Sequence, residues 1–211
     1  MGKVTVDISV SLDGFIAGPN PSREEPLGAH GEELHEWMVR TKGWREPHGL
    51  EGGESGPDSD MMERAFAGVG AIVMGRRMFG GDGPWGDEPW EGWWGDEPPF
   101  HLPVYVLTHH EREPLEKIGT TFYFVTDGID SALAQAKAAA ADDDVSIAGG
   151  ADVIQQGIRA GAVDELQLHV VPQFLGGGTP LFDGLTAGVL EPVEVVASPA
   201  VTHIRYRLET A

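Results

Sequence analysis

Hydrophobic positions alternate almost from the first residue. Val4, Val6, Ile8, Val10 and Leu12 fall on one side of an extended chain, Thr5, Asp7, Ser9 and Ser11 on the other. The spacing predicts a strand over residues 3–12 with one core face. Asp13-Gly14 predicts a turn, and Phe15-Ile16-Ala17-Gly18 continue the strand beyond it. The period then becomes helical: Leu34, Trp37 and Met38 stand at i, i+3 and i+4 in EELHEWMVR, a short amphipathic helix. It interrupts a Gly-, Pro- and acid-rich stretch from Pro19 to about Asp58, of the kind that forms lids or disordered insertions. A further helix is expected from Asp60, with Glu63 at capping-box spacing and Met62 and Phe66 as its buried face.

Short apolar strands follow in AIVMGRRMF, in PVYVLT (103–108) and in FYFV (122–125). An alanine-rich helix over 130–141, with Leu133 on its apolar face, leads to VSIAGGADVIQQGIRAG (145–161). Here an apolar run meets Gly149-Gly150 and passes directly into a helical pattern. Val153, Ile154, Gly157 and Ile158 share one face of that helix, and Gly161 supplies its left-handed stop. After it the chain is all β: ELQLHVVP (165–172) alternates, and 189–197 and 202–208 read as two antiparallel strands. Strands and helices alternating in this order argue a mainly parallel sheet flanked by helices.

Length and charge narrow the class. The 211 residues suffice for one substantial domain, taken as 1–211, and are few for two. No apolar run approaches the roughly 20 residues of a membrane span, and the N-terminus lacks a signal-peptide apolar core. Without cysteine, disulfides, thiolate nucleophiles and Cys-type zinc sites are excluded, and the cytoplasm is the default expectation. The net charge of −20 argues against nucleic acid and anionic membrane surfaces, and reads as a solvated acidic surface.

Against that acidity, a few groups carry candidate chemistry. Strand, two glycines and helix let the backbone approach a phosphate, with first-turn amides and the helix dipole aimed at the anion; a plain tight turn has the same pattern. Strand-Gly75-Arg76-Arg77 puts two cations where the chain leaves a sheet, where ligands of open α/β sheets bind. Arginine forks suit phosphate oxygens, and nearby acids offer them salt bridges instead. Trp85, Trp90, Trp93 and Trp94 lie without period in the Gly/Pro/acid loop of 80–100. Loop packing or a lid is favoured there over a sugar platform. His109-His110 have no further ligands at metal-site spacing, so no metal is expected.

Six segments stand in register with a known family: SLDGFIAG, VMGRRMF, PVYVLTHH, IAGGADVIQQ, DELQLHVVP and FLGGGTPLF. Together they resemble the dihydrofolate reductase superfamily, most of all the branch containing the reductase domain of bacterial riboflavin biosynthesis. The resemblance spans the chain apart from 19–58 and the tryptophan-rich loop. It implies an α/β, dihydrofolate-reductase-like three-layer fold, with a mostly parallel eight-stranded sheet and an antiparallel C-terminal edge. NADPH is the implied cofactor. Gly75, Arg76 and Arg77 would hold the adenosine 2′-phosphate side, Leu107 and Thr108 border the adenosine, and Gly149, Gly150, Ala151 and Asp152 cradle the pyrophosphate. Ser9, Ile16 and Ala17 would lie along the nicotinamide, and His109 near the phosphates. Asp152 has a second reading as a helix cap.

The family places a carboxylate near the start of its first helix. Asp58 and Asp60 stand near that place, Asp60 with a capping role, and Asp7 on the polar face of the first strand is a third candidate. The expected activity is hydride transfer from NADPH to a small flat heterocycle, pteridine- or aminopyrimidine-like, or to a carbonyl compound. A non-catalytic nucleotide-binding or interaction module on the same fold is the alternative. A homodimer is expected, since the antiparallel C-terminal strands leave an edge to cover.

Overall fold

The computed structural model describes residues 2–22, 24–81, 83–86 and 90–208. Strand β1 (Val4–Ser11) turns through Asp13-Gly14 into the short β2 (Phe15–Ala17). Its alternation holds at Val4, Val6 and Val10, which are buried. The polar side departs from expectation, because Ser9 and Ser11 are buried as well, while Leu12 is exposed. The Asp13 carboxylate organises the turn, accepting hydrogen bonds from the Ser11 hydroxyl (2.6 Å) and the amides of Leu175 and Gly176 (3.1 and 2.7 Å).

A 3-10 turn, Glu32–His35, enters α1 (Glu36–Val39), and Leu34 and Trp37 form the buried stripe that the spacing predicts. A second short helix, α2 (Lys42–Arg45), falls in a flank without hydrophobic period; it starts because the Thr41 hydroxyl accepts the Trp44 amide at 3.2 Å. Helix α3 spans Pro57–Phe66, three residues earlier than expected from Asp60. Pro57, with its fixed φ and missing N–H, suits the first helical position, so Gly56 is the cap, Asp60 is not, and no side chain closes a capping box. The buried face is accordingly Ser59, Met61 and Met62, and Phe66 points to solvent.

The central run is β3 (Val69–Gly75), α4 (Arg76–Gly80), β4 (Pro103–Leu107), β5 (Leu115–Lys117), β6 (Thr120–Val125), α5 (Ile129–Ala140), β7 (Asp144–Gly149) and α6 (Ala151–Arg159). Then come β8 (Glu165–Val171), β9 (Thr179–Pro180), β10 (Glu191–Ala197) and β11 (Thr202–Arg207). Among the described residues no helix is long and apolar enough to cross a membrane.

The chain divides into two compact units. Among the described residues, one comprises those of 2–6 and 68–164, the other those of 7–67 and 165–208. In the first, strands run in the order β1-β7-β3-β4-β6-β5, parallel except for the short antiparallel edge β5. Its core contains Ile72, Met74, Phe79, Val104, Val106 and Phe122. In the second, the order is β10-β11-β8-β1, with β10-β11-β8 antiparallel, and β2 pairs with β9 apart from it. Leu34, Trp37, Met62, Val171 and Val201 form its core, so the 19–58 stretch contributes core residues rather than only a surface flap. Counting β1 once, these orders make nine strands where the resemblance implies eight, with the antiparallel C-terminal edge it also implies.

Candidate functional site

In the first unit, three adjacent parallel strands end together. Gly149 at the end of β7 lies opposite Met74 of β3, and Gly75 at the end of β3 lies opposite Leu107 of β4. The carboxyl ends of β7, β3 and β4 thus present Gly149-Gly150, Gly75-Arg76-Arg77 and Leu107-Thr108 side by side, where open α/β sheets bind ligands. Gly149 has φ +138°, a region open in practice to glycine alone. A Cβ on Gly75 would stand 3.0 Å from Val153 Cγ2 and 3.4 Å from the Gly150 nitrogen, so β3 and the start of α6 approach backbone to backbone.

Gly150 caps α6 without any side-chain cap, leaving the first-turn amides of a nine-residue helix uncovered by side chains. Asp152 is not that cap. Its carboxylate accepts the Gln156 side-chain amide at 2.8 Å, one turn along the helix. Glycine-edged backbone, uncapped amides and the dipole behind them make a cradle that fits an anionic phosphate.

The two adjacent arginines go separate ways. Arg76 lies 3.7 Å over the Trp85 ring, which also stands 4.7 Å from the Arg112 guanidinium. Arg77 is exposed, with no ion pair among the described residues. The tryptophan-rich loop packs onto this unit. Trp85, Trp90 and Trp94 lie against its core, and the indoles of Trp85, Trp90 and Trp93 donate to the carbonyls of His110, Phe79 and Met78. Burial pushes Arg112 down from its ordinary pKa, against a smaller opposing effect of Glu91. Thr108 is buried and its hydroxyl accepts the His110 amide, whereas His109 is exposed.

The second unit holds an arrangement of different chemistry. His169 of β8 and His203 of β11 are direct cross-strand partners, 2% and 1% exposed, and their Nδ1 atoms are 2.6 Å apart. His169 Nε2 reaches Asp7 Oδ1 at 2.8 Å, and His203 Nε2 reaches Asp58 Oδ1 at 3.0 Å. Asp58 Oδ2 accepts the Ser198 hydroxyl at 3.0 Å. Above the two imidazoles lies Trp37, 4.6 and 5.0 Å from their centroids, and its indole donates to the Ser9 hydroxyl at 3.0 Å.

Burial pushes the His203 pKa down, opposed by its hydrogen bond to Asp58. His35 is lowered too, first by burial and last by the charge of His169, against a backbone hydrogen bond with Gly31 that raises it, and its Nδ1 is buried without a hydrogen-bond partner among the described residues.

Of the three candidate carboxylates, Asp7 and Asp58 therefore terminate one buried chain, while Asp60 stands on the exposed face of α3 outside it. Ser9 is buried beneath Trp37, and Ile16 and Ala17 lie in β2. His203 and Ser198 have no motif to announce them, and neither the segment DELQLHVVP nor the helical stripe of Trp37 marks His169 or Trp37 as members of a polar cluster. His169 merely shares the polar side of its strand with Gln167, and only the β8–β11 register brings it to His203.

A family model describing the RibD C-terminal domain matches residues 2–204. The chain belongs to that family. Within curated proteins it is similar to the uncharacterized protein YyaP of Bacillus subtilis (strain 168), with 26% identity over 186 residues, 85% of this chain and 80% of the relative. Solved structures of this fold include a putative riboflavin biosynthesis protein from Shewanella sp. PV-4, at TM-score 0.62 and 21% identity, covering 97% of this chain and 98% of that one. A dihydrofolate reductase from Enterococcus faecalis, complexed with NADP(H), aligns at TM-score 0.55 and 17% identity over 98% of this chain and 96% of its own. At such identities the structural likeness establishes a fold shared by the RibD C-terminal domain and dihydrofolate reductase.

Proposed function

We propose that the protein is a reductase that draws hydride from NADPH and passes it to a small, flat, pteridine- or aminopyrimidine-like heterocycle, or to a carbonyl compound. The observation that carries this reading is the glycine-edged end of β7-β3-β4, with uncapped α6 amides and an exposed Arg77 beside it. Membership in the RibD C-terminal domain family and a fold shared with an NADP(H)-bound dihydrofolate reductase support it.

NADPH supplies the hydride when bound. Gly149, Gly150 and the amides of Ala151 and Asp152 would hold its pyrophosphate, and Gly75 lets the backbone come close beside them. Arg77 would meet the 2′-phosphate. Arg76 is better read as a packing residue, since its guanidinium lies on Trp85.

The test is a titration with NADPH and NADH, followed by tryptophan fluorescence and energy transfer to the nicotinamide. Arg77→Ala is expected to weaken NADPH binding about tenfold or more, about 1.4 kcal/mol, toward the NADH level. A screen of pteridines, pyrimidines and carbonyl compounds then follows the loss of reduced-nicotinamide absorbance. Binding without oxidation by any of them would identify a nucleotide-binding module. Binding of neither nucleotide would end the reading.

A further inference from the structure

In the second unit four titratable groups are joined end to end by three hydrogen bonds: Asp7–His169, His169–His203 and His203–Asp58. Each bond needs one proton. Two ionised carboxylates and two neutral imidazoles carry only two between them. If both histidines donate through Nε2 to their carboxylates, two Nδ1 lone pairs face each other 2.6 Å apart in a buried place. The geometry therefore demands a third proton, and the cluster carries a charge of −1 rather than −2.

We infer that Asp7, His169, His203 and Asp58 form a relay that stores this proton and delivers it through Asp7 to the anion left by hydride transfer. The delivery step rests on the reductase reading above; the stored proton does not.

Placement within the chain follows from surroundings. Burial disfavours charge on His203, and the Asp58 hydrogen bond only partly opposes it. Of the two carboxylates that end the chain, Asp7 is the more exposed, at 29% against 21% for Asp58. Trp37 lies against both imidazoles and offers the third proton's charge a π face. His35 lies within electrostatic reach of the pair, its pKa lowered first by burial and last by the charge of His169, against a backbone hydrogen bond with Gly31 that raises it.

The two ends are not equivalent. Both oxygens of Asp58 are engaged, one by His203 and one by the Ser198 hydroxyl. Asp7 Oδ2 receives no hydrogen bond among the described residues, and Asp7 stands two positions from Ser9 on the same side of β1.

The step balances. Hydride adds to the carbon of a C=N or C=O bond and the displaced electron pair goes to nitrogen or oxygen. A shift of the shared protons toward the β1 end puts the third proton on Asp7 and leaves both imidazoles neutral and Asp58 ionised, with little movement of heavy atoms. Asp7 in its acid form gives its proton to that nitrogen or oxygen, and water replaces the proton lost.

The experiment has two readings. The first is ¹⁵N and ¹³C NMR of the full chain without ligand, at about pH 7.5. It is expected to count three protons among the four groups; two neutral imidazoles beside two ionised carboxylates would overturn the proposal, even if every variant failed to fold. The second is NADPH turnover by wild type, Asp7→Asn and His203→Gln, using the substrate found by the screen. Both variants should bind NADPH normally, yet lose about tenfold or more in kcat at about pH 8 and recover as the pH falls, because solvent acid must replace the relay.

Variant pH profiles parallel to wild type would overturn delivery, whatever their stability. A wild type that holds the proton but oxidises no NADPH would sink the reductase reading, and delivery with it. A failed proton count with turnover intact would sink the relay alone.

Discussion

His35 shows what burial does to a single group in the second unit. Its Nδ1 is buried without a hydrogen-bond partner among the described residues, and burial outweighs the raising effect of a backbone hydrogen bond with Gly31 to hold its pKa below the ordinary histidine value. The folded state then binds fewer protons than the unfolded chain just below about pH 6.5. The stability this contributes is present in full above that pH and is lost as the pH falls through the window down to the lowered value. The urea midpoint of the wild type should accordingly drop between about pH 6.5 and pH 5. In His35→Gln the drop should be shallower. Equal slopes for the two proteins would place the titrating group elsewhere.

Elements in this protein are stopped and started by local chemistry that the chain displays openly. Helix α6 is followed by its cap Ala160 and then by Gly161, which adopts φ +63° with nothing within 4 Å of the place a Cβ would take. Gly161→Ala therefore meets no clash and tests backbone conformation alone. It should cost about 1 kcal/mol of stability, read from denaturant unfolding, with the helix content by circular dichroism unchanged. No loss, or a loss of several kcal/mol, would mean that the left-handed stop is not what that glycine provides. The tryptophan-rich loop obeys a different rule. Its indoles have no sequence period because they are spaced by carbonyls to reach at Met78, Phe79 and His110, a requirement visible only once α4 and the chain after β4 are in place.

At the scale of the whole molecule, a net charge of −20 on 211 residues sets a self-repulsion that no single ion pair offsets. Many of the charge contacts are exposed, such as Arg40–Glu36 and Arg207–Glu191, and pairs of that kind contribute little. Screening should then stabilise the fold. Raising sodium chloride from about 20 mM to about 500 mM above neutral pH should lift Tm by a few degrees. A Tm that falls with salt would show attractive pairs outweighing the net repulsion.

Much of the architecture was legible in the sequence, because burial periods are local. The strands around 4–10, 71–75, 103–107, 122–125, 145–149, 165–171 and 202–207, the helices over 130–140 and 151–159, and the glycine stop at 161 all follow from spacing of two or 3.6 and from turn chemistry. The glycine-edged turn from β7 into α6 was legible for the same reason: Gly149, Gly150 and the start of α6 are contiguous in the chain. What needed the tertiary structure was every relation between distant residues. Pro57 moved the start of α3 and freed Asp60 from capping. Trp85 drew Arg76 away from its neighbour Arg77. The cross-strand register placed His169 against His203, and so made Asp7 and Asp58, 51 positions apart, the two ends of one hydrogen-bonded chain. Hydrophobic periodicity records which side of an element is buried; which polar groups meet there depends on strand pairing, and the sequence carries no local trace of it.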